Sequence, residues 1–247
     1  MSFQFTVSPD FPPTRLPSWY LFNTWLQKST GLSIHLEMFP DFESQREAIA
    51  KDKIDLIYAN PYDAAMLVRE KGFIPLARPK DRLDEAVILA SADFPYEEVE
   101  ELKSGMRVAV ANDPAINLLG MMMLEPAELH SGNIEVIKVD SYQAAIRKVL
   151  QGEADIAFLL KNSMMRLSKL VQSQLKTIVE SQIGDLYHTF LASTTLGEHA
   201  ETIKKALLDM HNSPKGREVL EGLEIPAWEE ITPEETDFMI NLIEALK

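Results

Sequence analysis

Apolar and polar positions alternate from Phe3 to Val7, which predicts a β-strand, and Ser8-Pro9-Asp10-Phe11-Pro12-Pro13 ends it as a loop. Strand-to-loop exits of this kind are where α/β folds place ligands. Trp19, Phe22, Trp25 and Leu26 then recur near helical spacing, with Ser18 as the expected cap and Gly31 as the expected stop. That aromatic stripe reads as core rather than as a stacking platform. Residues 32–39 read as a second strand, Asp41 as the cap of a helix reaching residue 51, and residues 54–59 as a third strand.

The middle of the chain repeats this grammar. Residues 86–90 and Arg107–Ala111 read as strands, a helix follows Asp113-Pro114, residues 134–139 form a strand, and Ser141 caps a helix through residue 150. Residues 154–159 close the set. Strands alternating with helices predict mostly parallel sheets. Ile54-Asp55-Leu56-Ile57-Tyr58 is echoed 100 residues later by Ala154-Asp155-Ile156-Ala157-Phe158, which predicts two similar lobes. Asp55 and Asp155 are read as partners of local backbone N–H groups, not as paired catalytic carboxylates.

Residues 187–193 read as a strand returning to the first lobe, and helices follow near residues 201–211, 215–222 and from Thr232 to the end. Thr232-Pro233-Glu234-Glu235 combines a cap, a proline at the first helical position and a glutamate at the third. The expected lobes are residues 1–84 with 187–247, and residues 85–186. Two crossover strands, near Asp84 and near residues 183–186, are expected to form the hinge.

Composition narrows the chemistry. The 247 residues are 46% hydrophobic and 25% charged, enough to bury a core. A net charge of −14 repels nucleic-acid phosphates and anionic lipids, and the densest basic stretch, residues 78–82, interleaves Asp81 with Arg78, Lys80 and Arg82. No nucleic-acid partner and no membrane insertion are expected. The chain has no cysteine, which removes disulfides, thiolate nucleophiles and cysteine-ligated metals. His35, His130, His188, His199 and His211 include no i, i+4 pair, so no metal site is expected. Neither a nucleophile elbow, nor a phosphate-binding loop, nor a dinucleotide fingerprint occurs; no cofactor and no catalytic residue are expected. Met121-Met122-Met123 reads as packing. The first residues lack the basic and apolar regions of a secretory signal. The expected compartment is therefore periplasmic if a signal was removed, and cytoplasmic if the chain is complete.

Several segments then fall in a telling order: Arg46-Glu47-Ala48-Ile49, Lys53-Ile54-Asp55-Leu56-Ile57-Tyr58-Ala59-Asn60-Pro61-Tyr62, Gly72-Phe73-Ile74-Pro75-Leu76-Ala77, Gln151-Gly152-Glu153-Ala154-Asp155-Ile156-Ala157 and Ser213-Pro214-Lys215-Gly216-Arg217-Glu218-Val219-Leu220. Over nearly the whole chain this order resembles the PhnD-like substrate-binding proteins of phosphate, phosphite and phosphonate ABC transporters. The resemblance implies a two-lobed type 2 periplasmic-binding fold, each lobe a sheet flanked by helices, with a small-molecule ligand held in the interlobe cleft and an ABC transporter permease as a partner. Phosphonate binders of that family grip the anion with hydroxyls of a Ser-Thr-Ser-Gly turn at a helix N-terminus, where backbone N–H groups favour negative charge. The matching stretch here, Asp113-Pro114-Ala115-Ile116-Asn117-Leu118-Leu119-Gly120, contains no hydroxyl. The family's tyrosine before the ligand-side helix corresponds to Phe42, the tyrosine opening the first crossover falls near Glu85, and the second-lobe histidine corresponds to Tyr142. A buried dianion without those donors would be left partly unsatisfied, so the expected ligand differs from a phosphonate.

The polar residues near predicted strand exits and helix starts are Asp10, Tyr58, Asn60, Tyr62, Asn112, Asn117, Ser141, Tyr142, Lys161 and Asn162. As candidate ligand contacts, their amides, phenols and one lysine suit a neutral or singly charged molecule. Tyr62 and Asn117 stand out; Asn60 and Asn112 read equally well as caps, Tyr58 as core and Lys161 as a solvated charge. Besides the solute-binding reading, two others remain at this point: a cytoplasmic ligand-sensing module of the same fold, and a cytoplasmic enzyme built on it.

Overall fold

The computed structural model describes residues 2–11 and 13–246. The chain runs β1 (Phe3–Val7), α1 (Leu16–Thr30), β2 (Ile34–Leu36), α2 (Phe42–Ala50), β3 (Leu56–Ala59), α3 (Pro61–Lys71), β4 (Ile74–Pro79) and β5 (Ala86–Ser91). It continues through β6 (Arg107–Ala111), α4 (Pro114–Met123), β7 (Glu135–Val139), α5 (Tyr142–Leu150), β8 (Ile156–Leu160), α6 (Lys161–Met165), α7 (Lys169–Gln172) and β9 (Leu175–Glu180). β10 (Thr189–Ala192), α8 (His199–Asp209), α9 (Pro214–Leu223), β11 (Trp228–Glu229) and α10 (Pro233–Ala245) complete it. The elements form two compact units, one running to Leu83 and resuming from Tyr187 to Glu244, the other from Asp84 to Leu186.

Unit 1 is built on a sheet of order β11-β4-β10-β3-β1-β2. β1 runs parallel to β2 and β3, whereas β10 is antiparallel to both its neighbours and β11 to β4. Phe5, Trp19, Phe22, Tyr58, Phe190 and Trp228 fill its core and meet largely at tilted or edge-on angles, the arrangement ring quadrupoles favour. Unit 2 has the order β7-β6-β8-β5-β9, with β6 parallel to β7 and β8, and β5 antiparallel to β8 and β9. Both sheets are thus mixed rather than mostly parallel. β5 and β10 are apolar runs buried along nearly their whole length, and such a run carries no mark of its direction.

The repeat is visible in three dimensions. α2 and α5 start 100 residues apart, at Phe42 and Tyr142, each behind a capping side chain: Asp41 accepts the Ser44 N–H, and Ser141 accepts the Ala144 N–H. Asp55 lies just before β3, where its N–H donates to the Gln4 carbonyl (2.9 Å) and its carboxylate accepts the Gln4 N–H (2.8 Å). Asp155 does the same against Arg107 of β6, at 2.8 and 2.7 Å. Each aspartate is the partner of a backbone N–H group, as expected, but of one on a neighbouring strand 51 or 48 residues away and not of a local one.

Other elements differ from expectation. α1 begins at Leu16, two residues before Ser18, because Pro17 supplies a pre-formed helical φ in its first turn and the 3₁₀ turn at Pro13–Arg15 leads into it. Gly31 does close it, at a left-handed φ of 73°. Periodicity gave no warning of β9, whose residues are mostly half-buried, nor of the short helices α6 and α7. Glu85 opens the segment that leads into β5, and its carboxylate accepts the Ser181 hydroxyl and the N–H groups of Ile183 (3.3 Å) and Gly184 (2.8 Å), while the Asp84 N–H donates to the Leu186 carbonyl (2.7 Å). The two connecting segments are therefore hydrogen-bonded to one another. No helix among the described residues is long and apolar enough to cross a membrane.

Candidate functional site

In unit 1 the polar residues gather where β1 and β3 end. The Ser8 N–H continues the ladder to the Tyr58 carbonyl (2.8 Å), and the Gln45 amide of α2 reaches the Val7 carbonyl (2.9 Å) and the Thr6 hydroxyl (3.1 Å). Asn60 caps α3: its Oδ1 accepts the Asp63 N–H (2.9 Å), and its Nδ2 donates to Ser8 Oγ (3.0 Å) and Asp63 Oδ2 (2.9 Å). Asp63, also buried, accepts from Arg46 Nε (2.7 Å), and the Arg46 guanidinium lies 5.2 Å from both the Phe42 and the Tyr62 ring centroids. The result is one continuous polar chain, Ser8–Asn60–Asp63–Arg46, bracketed by two aromatic rings.

Beside it lies a second group. Asp10 Oδ2 and His188 Nε2 are 3.0 Å apart, with both side chains more than nine-tenths buried. Phe11 stacks on Tyr58 (centroids 5.7 Å apart, planes 24°), and each of these rings lies 5.2 Å from the His188 ring. β10 is paired antiparallel to β3, with Thr189 opposite Ala59, which carries His188 to the end of β3. Asp10 Oδ1 is buried and has no hydrogen-bond partner among the described residues.

In unit 2 the corresponding strand exit follows β6. Asn112 is exposed in the bend, and the buried Asp113 caps α4, its Oδ1 accepting the Ile116 N–H (3.1 Å). Tyr142, the first residue of α5, donates its hydroxyl to Asp113 Oδ2 at 2.5 Å. Asn117 donates to the Ala111 carbonyl (2.9 Å), while its Oδ1 is buried without a partner among the described residues. A carboxylate thus sits at the N-terminus of α4 and is held there by a phenol.

The candidate residues separate accordingly. Asp10, Tyr58 and Asn60 come together at the strand ends of unit 1, with Tyr62 next to them on α3 over Arg46. Tyr58 is buried in the aromatic core, and Asn60 uses its side chain on protein groups. Asn117, Ser141 and Tyr142 belong to the strand-exit region of unit 2. Lys161 opens α6 and pairs with Glu180 (2.6 Å), and Asn162 follows it, half-buried. Sequence reasoning missed His188, Arg46 and Asp63. His188 lies 178 residues from Asp10, so no spacing rule joins them; only placing His188 at the start of the returning strand could have done so. Among the described residues, no group of three or more histidine or acidic side chains is arranged to hold a metal.

Comparison with known proteins supports this architecture. A sequence profile described as ABC transporter, phosphonate, periplasmic substrate-binding protein matches residues 5–236. Among solved structures, PhnD1 from Prochlorococcus marinus, determined in complex with methylphosphonate, superposes with a TM-score of 0.83 at 15% identity, covering 99% of this chain and 97% of that one. A binding component of an ABC phosphonate transporter from Pseudomonas aeruginosa gives 0.80 at 14%, with coverages of 100% and 89%. The periplasmic aliphatic sulphonate binding protein SsuA from Escherichia coli gives 0.67 at 15%, with coverages of 99% and 91%. At these identities the solved structures establish the fold, that of two-lobed periplasmic-binding proteins. No curated protein sequence matches the chain.

Proposed function

Because the chain belongs to the family of periplasmic substrate-binding proteins of phosphonate ABC transporters, we propose that it is a non-enzymatic receptor for a small solute that is neutral or singly charged, not a phosphonate dianion. The observation that carries the second half is Asp113. Helix N-termini attract anions because their first N–H groups lack intrahelical partners. At α4 an internal carboxylate already takes the Ile116 N–H, and its second oxygen takes the Tyr142 hydroxyl. A phosphonate arriving there would find donors engaged and a like charge in place.

The membership further supports a transporter permease as partner and delivery across an inner membrane as the physiological role.

The test is a thermal-shift screen of the refolded protein against methylphosphonate, phosphate, sulfonates, carboxylates, amino acids, amines and pyrimidines. A true ligand at about 100 times its Kd stabilises the fold by about 2.7 kcal/mol, a shift of several degrees for a chain of this size. Asp113→Ser keeps a capping side chain but removes the charge, and is expected to create or strengthen a response to methylphosphonate. Strong stabilisation of the wild-type protein by methylphosphonate would overturn the ligand assignment.

A further inference from the structure

Among the described residues, Asp10 has one oxygen on His188 and the other without a hydrogen-bond partner. Its side chain is only 7% exposed, and Oδ1 is buried without a hydrogen-bond partner among the described residues. An unpartnered buried acceptor is costly, more so on a carboxylate, and native structures keep such groups chiefly where function uses them. The geometry around it is specific. His188 Nε2 fixes Oδ2 at 3.0 Å, so Oδ1 cannot swing towards another protein donor without breaking that bond. The rings of Phe11 and Tyr58 lie 5.2 Å from the imidazole, and Phe11 is the half-buried member of the trio.

An acceptor of this kind needs an N–H or O–H donor. The carboxylate of Asp10 and a chain carrying −14 overall both favour a donor that is positively charged. Resting on the small-solute reading above, we infer that unit 1 contains an amine subsite, in which Asp10 Oδ1 accepts a hydrogen bond from a protonated primary or secondary amine of the solute.

The test is isothermal titration of the refolded protein with ethanolamine and 4-amino-1-butanol, both singly charged, set against ethylene glycol and 1,4-butanediol, which keep the shape but lack the charge, and choline, which keeps the charge but has no N–H. The amines are expected to bind, with the diols and choline weaker by roughly tenfold or more. Asp10→Asn keeps the size and the His188 contact and is expected to weaken amine binding by a similar factor, with its fold checked by circular dichroism. If that variant does not fold, the wild-type comparison of amines with diols and choline still decides the matter. Equal binding of amines and diols, or amine binding that survives Asp10→Asn unchanged, overturns the subsite. If another solute class binds and the amines do not, the subsite alone falls; if no solute of the wider screen binds, the receptor reading falls with it.

Discussion

Single atoms decide how closely the elements approach. A Cβ built on Gly120 of α4 would lie 2.2 Å from Cδ2 of Phe158, whose ring is fully buried in β8 and has nowhere to retreat. Gly120→Ala is therefore expected to lower stability by about 1–3 kcal/mol, as overpacked cores do, read as a lower midpoint in urea with an unchanged slope. Asp155 sets a different limit. Burial opposes its charge, but the hydrogen bonds and charge of Arg107 outweigh that and hold its carboxyl below the usual value, while the hydrogen bond and charge of Asp155 in turn raise the guanidinium. A depressed carboxyl contributes stability that is present above its unfolded value and is lost as pH falls through the folded one. Asp155→Asn should therefore melt below the wild type at pH 7, with the gap narrowing as pH falls below the ordinary aspartate value of 3.8; a gap independent of pH would show that the pair contributes through packing alone. At this scale the sequence was readable for Asp55 and Asp155, each standing just before a buried strand as a partner of backbone N–H groups, and silent on which side chains meet, as for Asp10 with His188, 178 residues away, and for Arg46 with Asp63, 17 residues away. Hydrophobic periodicity reports which face a residue points to, and carries nothing about which far segment meets it there.

Caps and turns set the elements. Asp41, Asn60, Asp113, Ser141 and Ser213 each accept a first-turn N–H of the helix they precede. Thr232 and Glu235 exchange reciprocal bonds, Thr232 Oγ1 accepting the Glu235 N–H (3.2 Å) and Glu235 the Thr232 N–H (2.8 Å). Those bonds, the Thr232 N–H above all, hold the Glu235 carboxyl below its ordinary value. Asn60 should be the most sensitive cap, because Asn60→Ala removes the cap of α3 and also leaves Ser8 and Asp63 short of a buried donor. The expected loss is about 1–3 kcal/mol by chemical denaturation, against about 1 kcal/mol or less for Thr232→Ala on the exposed box. Helices with an Asp, Ser or Thr cap and a proline in the first turn were legible one by one. α1 was displaced because its start uses Pro17 with no side-chain cap, and β9 was invisible because a half-buried strand has no clean alternation.

At the scale of the whole molecule, alternation of strands and helices and the repeat were enough to give an α/β fold of two similar halves, whereas strand direction was not legible. The reason is visible in β10 and β5, which are buried on both faces and so look alike in either orientation. β10 has a further consequence. It sits between β3 and β4 in the sheet of unit 1, yet 109 residues of chain separate Pro79 from Thr189. As the protein emerges from the ribosome, the first 83 residues cannot close their sheet: β4 has neither of its neighbours, and β3 offers a bare edge. The stretch of unit 2 from Asp84 to Leu186, which carries all five strands of its sheet, is made before β10. Synthesis therefore imposes an order in which the inserted half is finished first, and the half that opens the chain stays exposed to mispairing and to chaperones until its missing central strand arrives.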